Sequence, residues 1–421
     1  MIGSTVYWLW LSLAVTPGSD TFSNLISKHS SAEEIYSLDK DDLISLVGSK
    51  SKDLLALCDK DLSKAEEIYN FCKSKNIGIL LYSDSAYPKL LKQIPTPPVL
   101  LYYRGILPDF DNTFCVSVVG TRRLSEYGKK NAFQISFDLS RSGATVVSGL
   151  ALGIDGVSHA GAIAAQKPTI AVIGSGIDVC YPSQHLNLAR EIVKSGCIFT
   201  EYPPGTPPNG YNFPVRNRII SGLSSATIVI EGKERSGALL TARHAKIQGR
   251  TVYALPGNVG NKNSELSNLL IKNGASLCTC ADDVVRDFED KSHGILNPFA
   301  LAKVESVDMV ATFEKLRISA VSVDDNIFRH STKKKEKTVQ PKPDKESVRE
   351  NAPQESSQIS FEGFDKNAIK IYKKIPLDQE CEIESLIDDE HSLRVVMNSL
   401  LKLEIGKFVT MLPGERVRRN F

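Results

Sequence analysis

The sequence predicts an α/β protein with a doubly wound, mostly parallel sheet, a small helical domain before it and a compact helix-and-hairpin domain after it. Two observations carry the central part. Between about residues 77 and 290, short β-rich runs alternate with helical stretches of crossover length, the pattern of strands wrapped by helices. Most of those runs are continuously apolar rather than alternating, as strands buried on both faces are.

Residues 1–76 read as short helices. The first, apolar over Val6–Val15, stops at Pro17-Gly18; it lacks a preceding cation and is too short to span a bilayer, so a core helix is expected rather than a leader. No other run is long enough to span, which predicts a cytoplasmic protein with no membrane partner. In 77–290 the expected strands are Phe114–Val119, Ala144–Ser148, Thr169–Ile173, Cys197–Tyr202, Ala226–Ile230 and Thr251–Leu255. The helices between and after them fall near 126–141, 155–166, 184–195, 214–223, 237–248 and 264–273. Residues 291–360 read as an irregular segment and linker; Arg329–Glu350 holds eight Lys/Arg against four acids, a solvated tether or an auxiliary nucleic-acid contact. In 361–421, Ala368–Tyr372 opens a helix, and Ile383, Leu386 and Ile387 mark a second. Leu393, Val396, Met397, Leu400, Leu401 and Leu403 mark a third. Lys407–Met411 and Arg416–Arg419 then form a hairpin around Pro413-Gly414. That is the ground plan of a winged helix, which reads a DNA groove or binds protein.

With 51 Lys/Arg against 49 acids the net charge is +2, so anion binding must come from local clusters. The eight cysteines contain no C-x-x-C pair, which argues against zinc or a disulfide framework and for reduced thiols.

In open α/β sheets ligands bind beyond the carboxyl ends of the strands. There the sequence places Gly120-Thr121-Arg122-Arg123-Leu124-Ser125, Ser148-Gly149, Gly174-Ser175-Gly176, Glu231-Gly232 followed by Ser236-Gly237 through Thr241, and Pro256-Gly257. Glycine admits close backbone approach, and N–H groups at helix starts point at anions. Converging on one edge, these loops predict a phosphate site. Arg122 supplies a guanidinium that forks onto phosphate. Arg216, Asn217 and Arg218 open a helix; the two arginines either join the site or clamp a loop carboxylate such as Glu201 or Glu231. Phe213 either stacks on a base or packs in the core. Asp155 and Asp178, each after a glycine turn, read as helix caps.

Together these motifs resemble the DNA-processing protein A (DprA/Smf) family. They are Gly120-Thr121-Arg122, Ser148-Gly149-x-Ala151-x-Gly153-Ile154-Asp155, Gly174-x-Gly176-x-Asp178-x-x-Tyr181-Pro182, Phe213-Pro214-x-Arg216-Asn217-Arg218, Ser236-Gly237-Ala238-Leu239-Leu240-Thr241-Ala242 and Gly249-Arg250 through Pro256-Gly257. They cover about residues 78–285. The resemblance implies an extended Rossmann domain flanked by a sterile-alpha-motif-like domain and a winged helix. It also implies a homodimer, through the Rossmann domain, that binds single-stranded DNA without sequence preference. Such a protein displaces single-strand-binding protein and loads the RecA recombinase in natural transformation and recombination, with no cofactor and no catalysis. It would place Arg122 on phosphate beside the Ser148-Gly149 and Gly174–Gly176 loops, Phe213 on a base, and Arg216 and Arg218 around the pocket. The chain departs from the family at Gly210, where many members carry lysine, and at Glu265–Asn268.

Rival readings are weaker. The same Rossmann variant serves nucleotide phosphoribohydrolases of the lysine-decarboxylase-like group, but Ser236–His244 lacks their downstream carboxylate, and a glycosidic bond needs a proton source. Gly174-Ser175-Gly176 lacks the third glycine of a dinucleotide fingerprint. A nucleotide sensor remains compatible with the loops. His159, His185 and His244 lack metal-ligand spacing, and Ser175 lacks a nucleophile-elbow context.

Overall fold

The computed structural model describes residues 2–234, 236–302, 307–318 and 366–376, and, closer to the carboxyl end, 380–386, 388, 396, 399–400, 403, 408–412 and 416–420. The chain divides into two compact units, 1–330 and 331–421.

In the first unit, helices α1 (Ile2–Ala14), α2 (Thr21–Ile26), α3 (Ala32–Ser37), α4 (Lys40–Val47), α5 (Leu54–Cys58) and α6 (Ser63–Ser74) precede the sheet. Helices α3 and α4 start on side-chain caps, Ser31 accepting from the Glu34 N–H and Asp39 from the Asp42 N–H, with acids in the first turn where the helix dipole favours them. The apolar run of α1 is a core helix: Trp8, Leu9 and Leu11 are buried.

The sheet comprises β1 (Gly78–Leu81), β2 (Leu100–Gly105), β3 (Phe114–Val119), β4 (Ala144–Ser148), β5 (Thr169–Val172), β6 (Cys197–Thr200), β7 (Ala226–Val229), β8 (Thr251–Ala254) and β9 (Ser276–Leu277). Their order is β1-β2-β6-β5-β4-β3-β7-β8-β9. From β6 to β9 all pairs are parallel; β1–β2 and β2–β6 are antiparallel. The expected strands in 114–255 are all present, within two residues at their ends. The antiparallel β1 and β2 were not expected.

Successive strand residues face opposite layers. Val116 and Val118 of β3 join one hydrophobic cluster with α1–α6, α8 (Glu126–Arg141), α9 (Ile154–Ala164), α10 (Leu186–Ser195), α14 (Ala281–Phe288) and α15 (Met309–Leu316). Cys115 and Val119 join the other, with α7 (Lys89–Lys92), α11 (Asn212–Gly222), α12 (Gly237–Ile247) and α13 (Glu265–Lys272). Every residue of β3 to β7 is buried, which is why those segments read as largely apolar runs rather than alternations.

The chain winds outward from β3 through β4, β5 and β6, then returns to place β7 on the other side of β3. Connections leave β3 and β7 in opposite senses, and a crevice opens at their carboxyl ends, the switch point of a doubly wound sheet.

The second unit contains α16 (Lys366–Lys374), β10 (Glu380–Glu382), a 3₁₀ turn at Ile383–Leu386, β11 (Val409–Leu412) and β12 (Arg416–Arg419). The strands form an antiparallel sheet in the order β10-β12-β11. Ile371, Tyr372, Leu386, Val396, Leu400, Leu403 and Val417 share its core. The expected first helix and both hairpin strands are present, a third strand pairs with them, and the expected second helix is only the 3₁₀ turn; Ile387, Lys407 and the Pro413-Gly414 turn lie outside the described residues. Of the expected third helix, Val396, Leu400 and Leu403 are described and helical; Leu393, Met397 and Leu401, like the linker 329–358, lie outside the described residues.

Candidate nucleic-acid interface

A cavity of about 560 Å³ occupies the crevice at the carboxyl ends of β3 and β7. Gly120, Thr121 and Arg122 enter it from β3; Phe213, Arg216 and Asn217 from the first turns of α11; and Ser236, Gly237 and Thr241 from the start of α12. The sequence points to all nine of these.

Thr121 is fixed by its backbone: its N–H donates to the Glu231 carbonyl (2.8 Å) and its carbonyl accepts from the Ile154 N–H (3.1 Å). The next residue, Arg122, is exposed, and its guanidinium carbon lies 5.5 Å from the Phe213 ring centroid. It makes no hydrogen bond or ion pair among the described residues. Phe213 also packs against Tyr181, centroid to centroid 5.5 Å at 33°, and a side chain at Gly174 would strike its ring, with Cβ 3.0 Å from Cδ1. Tyr181 is 42% exposed. An unpaired cation thus stands beside two aromatic faces, the combination that holds phosphate and base together.

Opposite them, α12 begins with extended Ser236, which makes no side-chain cap. Its Oγ is buried without a partner. The N–H groups of Gly237 and Ala238 meet no acceptor among the described residues. Free N–H groups at a helix start attract anions.

Arg216 lies deeper. It is buried, donating from Nη1 to the Gly149 carbonyl (2.7 Å) and the Val172 carbonyl, and from Nε to Asn217 Oδ1 (3.2 Å). Asn217 in turn donates to the Gly237 carbonyl at 3.3 Å. Burial pushes the Arg216 pKa down to about 10, against the pull of Asp155. Asp155 also lines the cavity, and burial raises its carboxyl pKa against the pull of Arg216.

Other expected site residues lie elsewhere. Arg218 is buried outside the cavity in a bidentate pair with Glu201, the clamp the sequence left open; Glu231 instead receives the Ser125 hydroxyl and, at 3.0 Å, the Ser125 N–H. Ser148 Oγ donates to the Val118 carbonyl and Ser175 Oγ to the Val179 carbonyl. The Gly149 N–H donates to Asp155 (3.1 Å), the Gly176 N–H to the Thr206 carbonyl (2.9 Å), and the Gly174 carbonyl accepts from Asn212 (3.0 Å). The loops after β4 and β5 therefore form an underlayer whose donors serve the protein. Asp155, whose Oδ2 also accepts from the Ala151 N–H, braces a loop rather than capping α9; Asp178 begins no helix and instead holds the Gly205 N–H at 2.8 Å. Tyr181 and Asp155 line the cavity although sequence reasoning did not place them there. Tyr181 stood in the Gly174–Pro182 motif, but its approach to Phe213 is a tertiary contact.

Among the described residues no cluster of His, Cys, Asp and Glu suits a metal, and no helix is long and apolar enough to cross a membrane. All eight cysteines are free thiols.

Fold and crevice together define a doubly wound α/β protein with a cationic, aromatic crevice at its switch point. Residues 78–289 match the profile of the DNA recombination-mediator protein A family, and the chain belongs to that family. It is similar to the DNA processing protein DprA of Bacillus subtilis (strain 168), 38% identical over 227 residues, which are 54% of this chain and 76% of that one. It is similar also to protein Smf of Escherichia coli (strain K12), 41% identical over 216 residues, 51% of this chain and 58% of that one. The X-ray structure of DprA from Streptococcus pneumoniae superposes with a TM-score of 0.57 at 32% identity, covering 67% of this chain and 96% of that one.

Proposed function

We infer that this protein binds single-stranded DNA without reading its sequence and hands it to a RecA-type recombinase, as a mediator rather than an enzyme. The observation that carries this reading is Arg122, unpaired and exposed beside Phe213, facing the open start of α12. Phosphate oxygens would rest on the Arg122 guanidinium and the Gly237 and Ala238 N–H groups, with a base against Phe213 and Tyr181. An unpaired strand offers phosphates and stackable faces at once; a duplex hides the faces. Arg216 and Asn217 would hold the crevice wall, and Thr121, Ser236 and Thr241 would add hydroxyls.

Hydrolysis of a nucleotide is not favoured. Asp155 is the single carboxylate among the lining residues, and its Oδ2 already accepts two backbone N–H bonds. Among the described residues lining the cavity no second carboxyl completes an acid–base pair. Family membership supports the recombinase as partner, a homodimer through the Rossmann domain and a cytoplasmic setting. Helix α16 and the antiparallel β10–β12 sheet support a winged helix in the second unit, and α1–α6 a sterile-alpha-motif-like front end.

Fluorescence anisotropy with oligo-dT, the matching duplex and ATP at two salt concentrations tests the reading. Oligo-dT should bind tightest and weaken steeply with salt. Equal affinity for duplex, or preference for ATP, would overturn it, the latter in favour of a nucleotide sensor.

A further inference from the structure

A second cavity, of about 300 Å³, lies between α10 and the sheet, apart from the crevice. Its walls are aliphatic: Leu150, Ile173, Ile177, Leu186, Val193 and Ile198. Two guanidiniums, Arg104 from β2 and Arg190 from α10, also line it. Neither makes a hydrogen bond or ion pair among the described residues, and Arg104 Nε is buried without an acceptor. An unsatisfied buried donor is costly, so a ligand that supplies an acceptor beside it is favoured. The cavity's own carboxylate, Asp178, has Oδ1 engaged by the Gly205 N–H and, among the described residues, makes no ion pair with either arginine.

We propose that this cavity is a docking site for an acidic peptide segment of a partner protein, with one aromatic or branched apolar side chain in the pit and carboxylates on Arg104 and Arg190. Charge complementarity selects the occupant. Two unpaired guanidiniums beside an aliphatic pit match carboxylates next to an apolar side chain, and guanidinium favours carboxylate in forked geometry. Nucleic acid fits poorly, because no aromatic ring lines the walls for stacking. The volume accepts one large side chain and leaves the rest of a peptide outside, as in groove recognition of short motifs. Leu186, 43% exposed, would form the apolar lip.

The test uses the full-length protein and a fluorescein-labelled peptide of sequence Gly-Asp-Glu-Asp-Leu-Phe with a free carboxyl end. Binding should be saturable, at least tenfold weaker when the peptide's Phe becomes Ser, and at least tenfold weaker in Arg190→Glu. Arg190 is exposed, so that variant should fold; Leu186→Glu, on the same helix, should weaken binding likewise. As a positional readout, bound peptide should slow alkylation of Cys180, which lines the cavity, without changing exposed Cys280. No binding at 1 mM peptide, unchanged affinity in Arg190→Glu, or equal alkylation of Cys180 with and without peptide would each overturn the proposal.

Discussion

Arg218 and Glu201 form a buried bidentate pair, Nη1 and Nη2 each 2.7 Å from a different carboxylate oxygen, both side chains only 5% exposed. Arg218 Nε donates to the Thr96 carbonyl at 2.9 Å. One guanidinium thus ties α11 to the end of β6 and to the segment before β2. Arg218→Ala would leave Glu201 charged and buried without a partner, which costs about 3–5 kcal/mol. Urea unfolding should show that loss as a lower midpoint, while single-strand affinity per folded molecule stays near the parent value.

Arg122→Ala should behave in the opposite way. The side chain is exposed and unpaired, so stability should stay within about 0.5 kcal/mol. Oligo-dT affinity should fall by about 1–3 kcal/mol, the cost of a charge-assisted hydrogen bond. The log–log salt slope should shrink by about 0.7 for the one phosphate released. Anisotropy titrations across a salt series check both.

Gly210 lies on the crevice rim, and a Cβ there would meet nothing within 4 Å. Gly210→Lys should be accommodated without repacking and should tighten oligo-dT binding, steepening the salt slope by about 0.7. An unchanged slope would place the strand away from this rim.

His159 gives the fold an acid limit. Thr169 Oγ1 donates to the Val146 carbonyl (2.7 Å) and lies 2.8 Å from His159 Nδ1, so Nδ1 carries the proton; Nε2 is buried without a partner. Burial pushes the folded pKa down from 6.5 to about 3. Below pH 6.5 the unfolded chain therefore binds a proton that the folded chain refuses. This contribution is complete above that pH and is lost towards pH 3, by about 1.4 kcal/mol per pH unit. Urea melts at pH 7 and pH 5 should differ by about 2 kcal/mol from this group, and His159→Leu should remove that part of the dependence.

Much of this architecture is legible before any coordinates, for one physical reason. Strands covered on both faces carry mostly apolar residues, and the few polar ones, such as Ser117 and Ser148, are hydrogen-bonded inside, so Phe114–Val119 and Ala144–Ser148 announce themselves with correct ends. The edge strands do not. Gly78–Leu81 follows a helix with no alternation to mark it, and Leu100–Gly105 follows Pro95, Pro97 and Pro98; their pairing depends on partners far along the chain. At the site, two loops that end in the crevice are readable for different reasons: Gly120–Arg122 sets glycine and a cation at a strand end, and Ser236–Thr241 sets glycine at a helix start. Sequence could not say that Ser125 serves Glu231, that Ser148 serves Val118, or which of Arg216 and Arg218 is spent on a carboxylate. Those assignments are made by distances of a few ångströms between segments remote in the chain.

The crevice at the carboxyl ends of β3 and β7 owes its existence to winding, not to any residue that borders it. Borders packed into the fold, such as Gly120 and Arg216, are held by it, whereas rim positions such as Gly210 can change without disturbing the interior layers. At Gly210 the scaffold is indifferent to what stands there, so grip on the cargo can be tuned at that point alone.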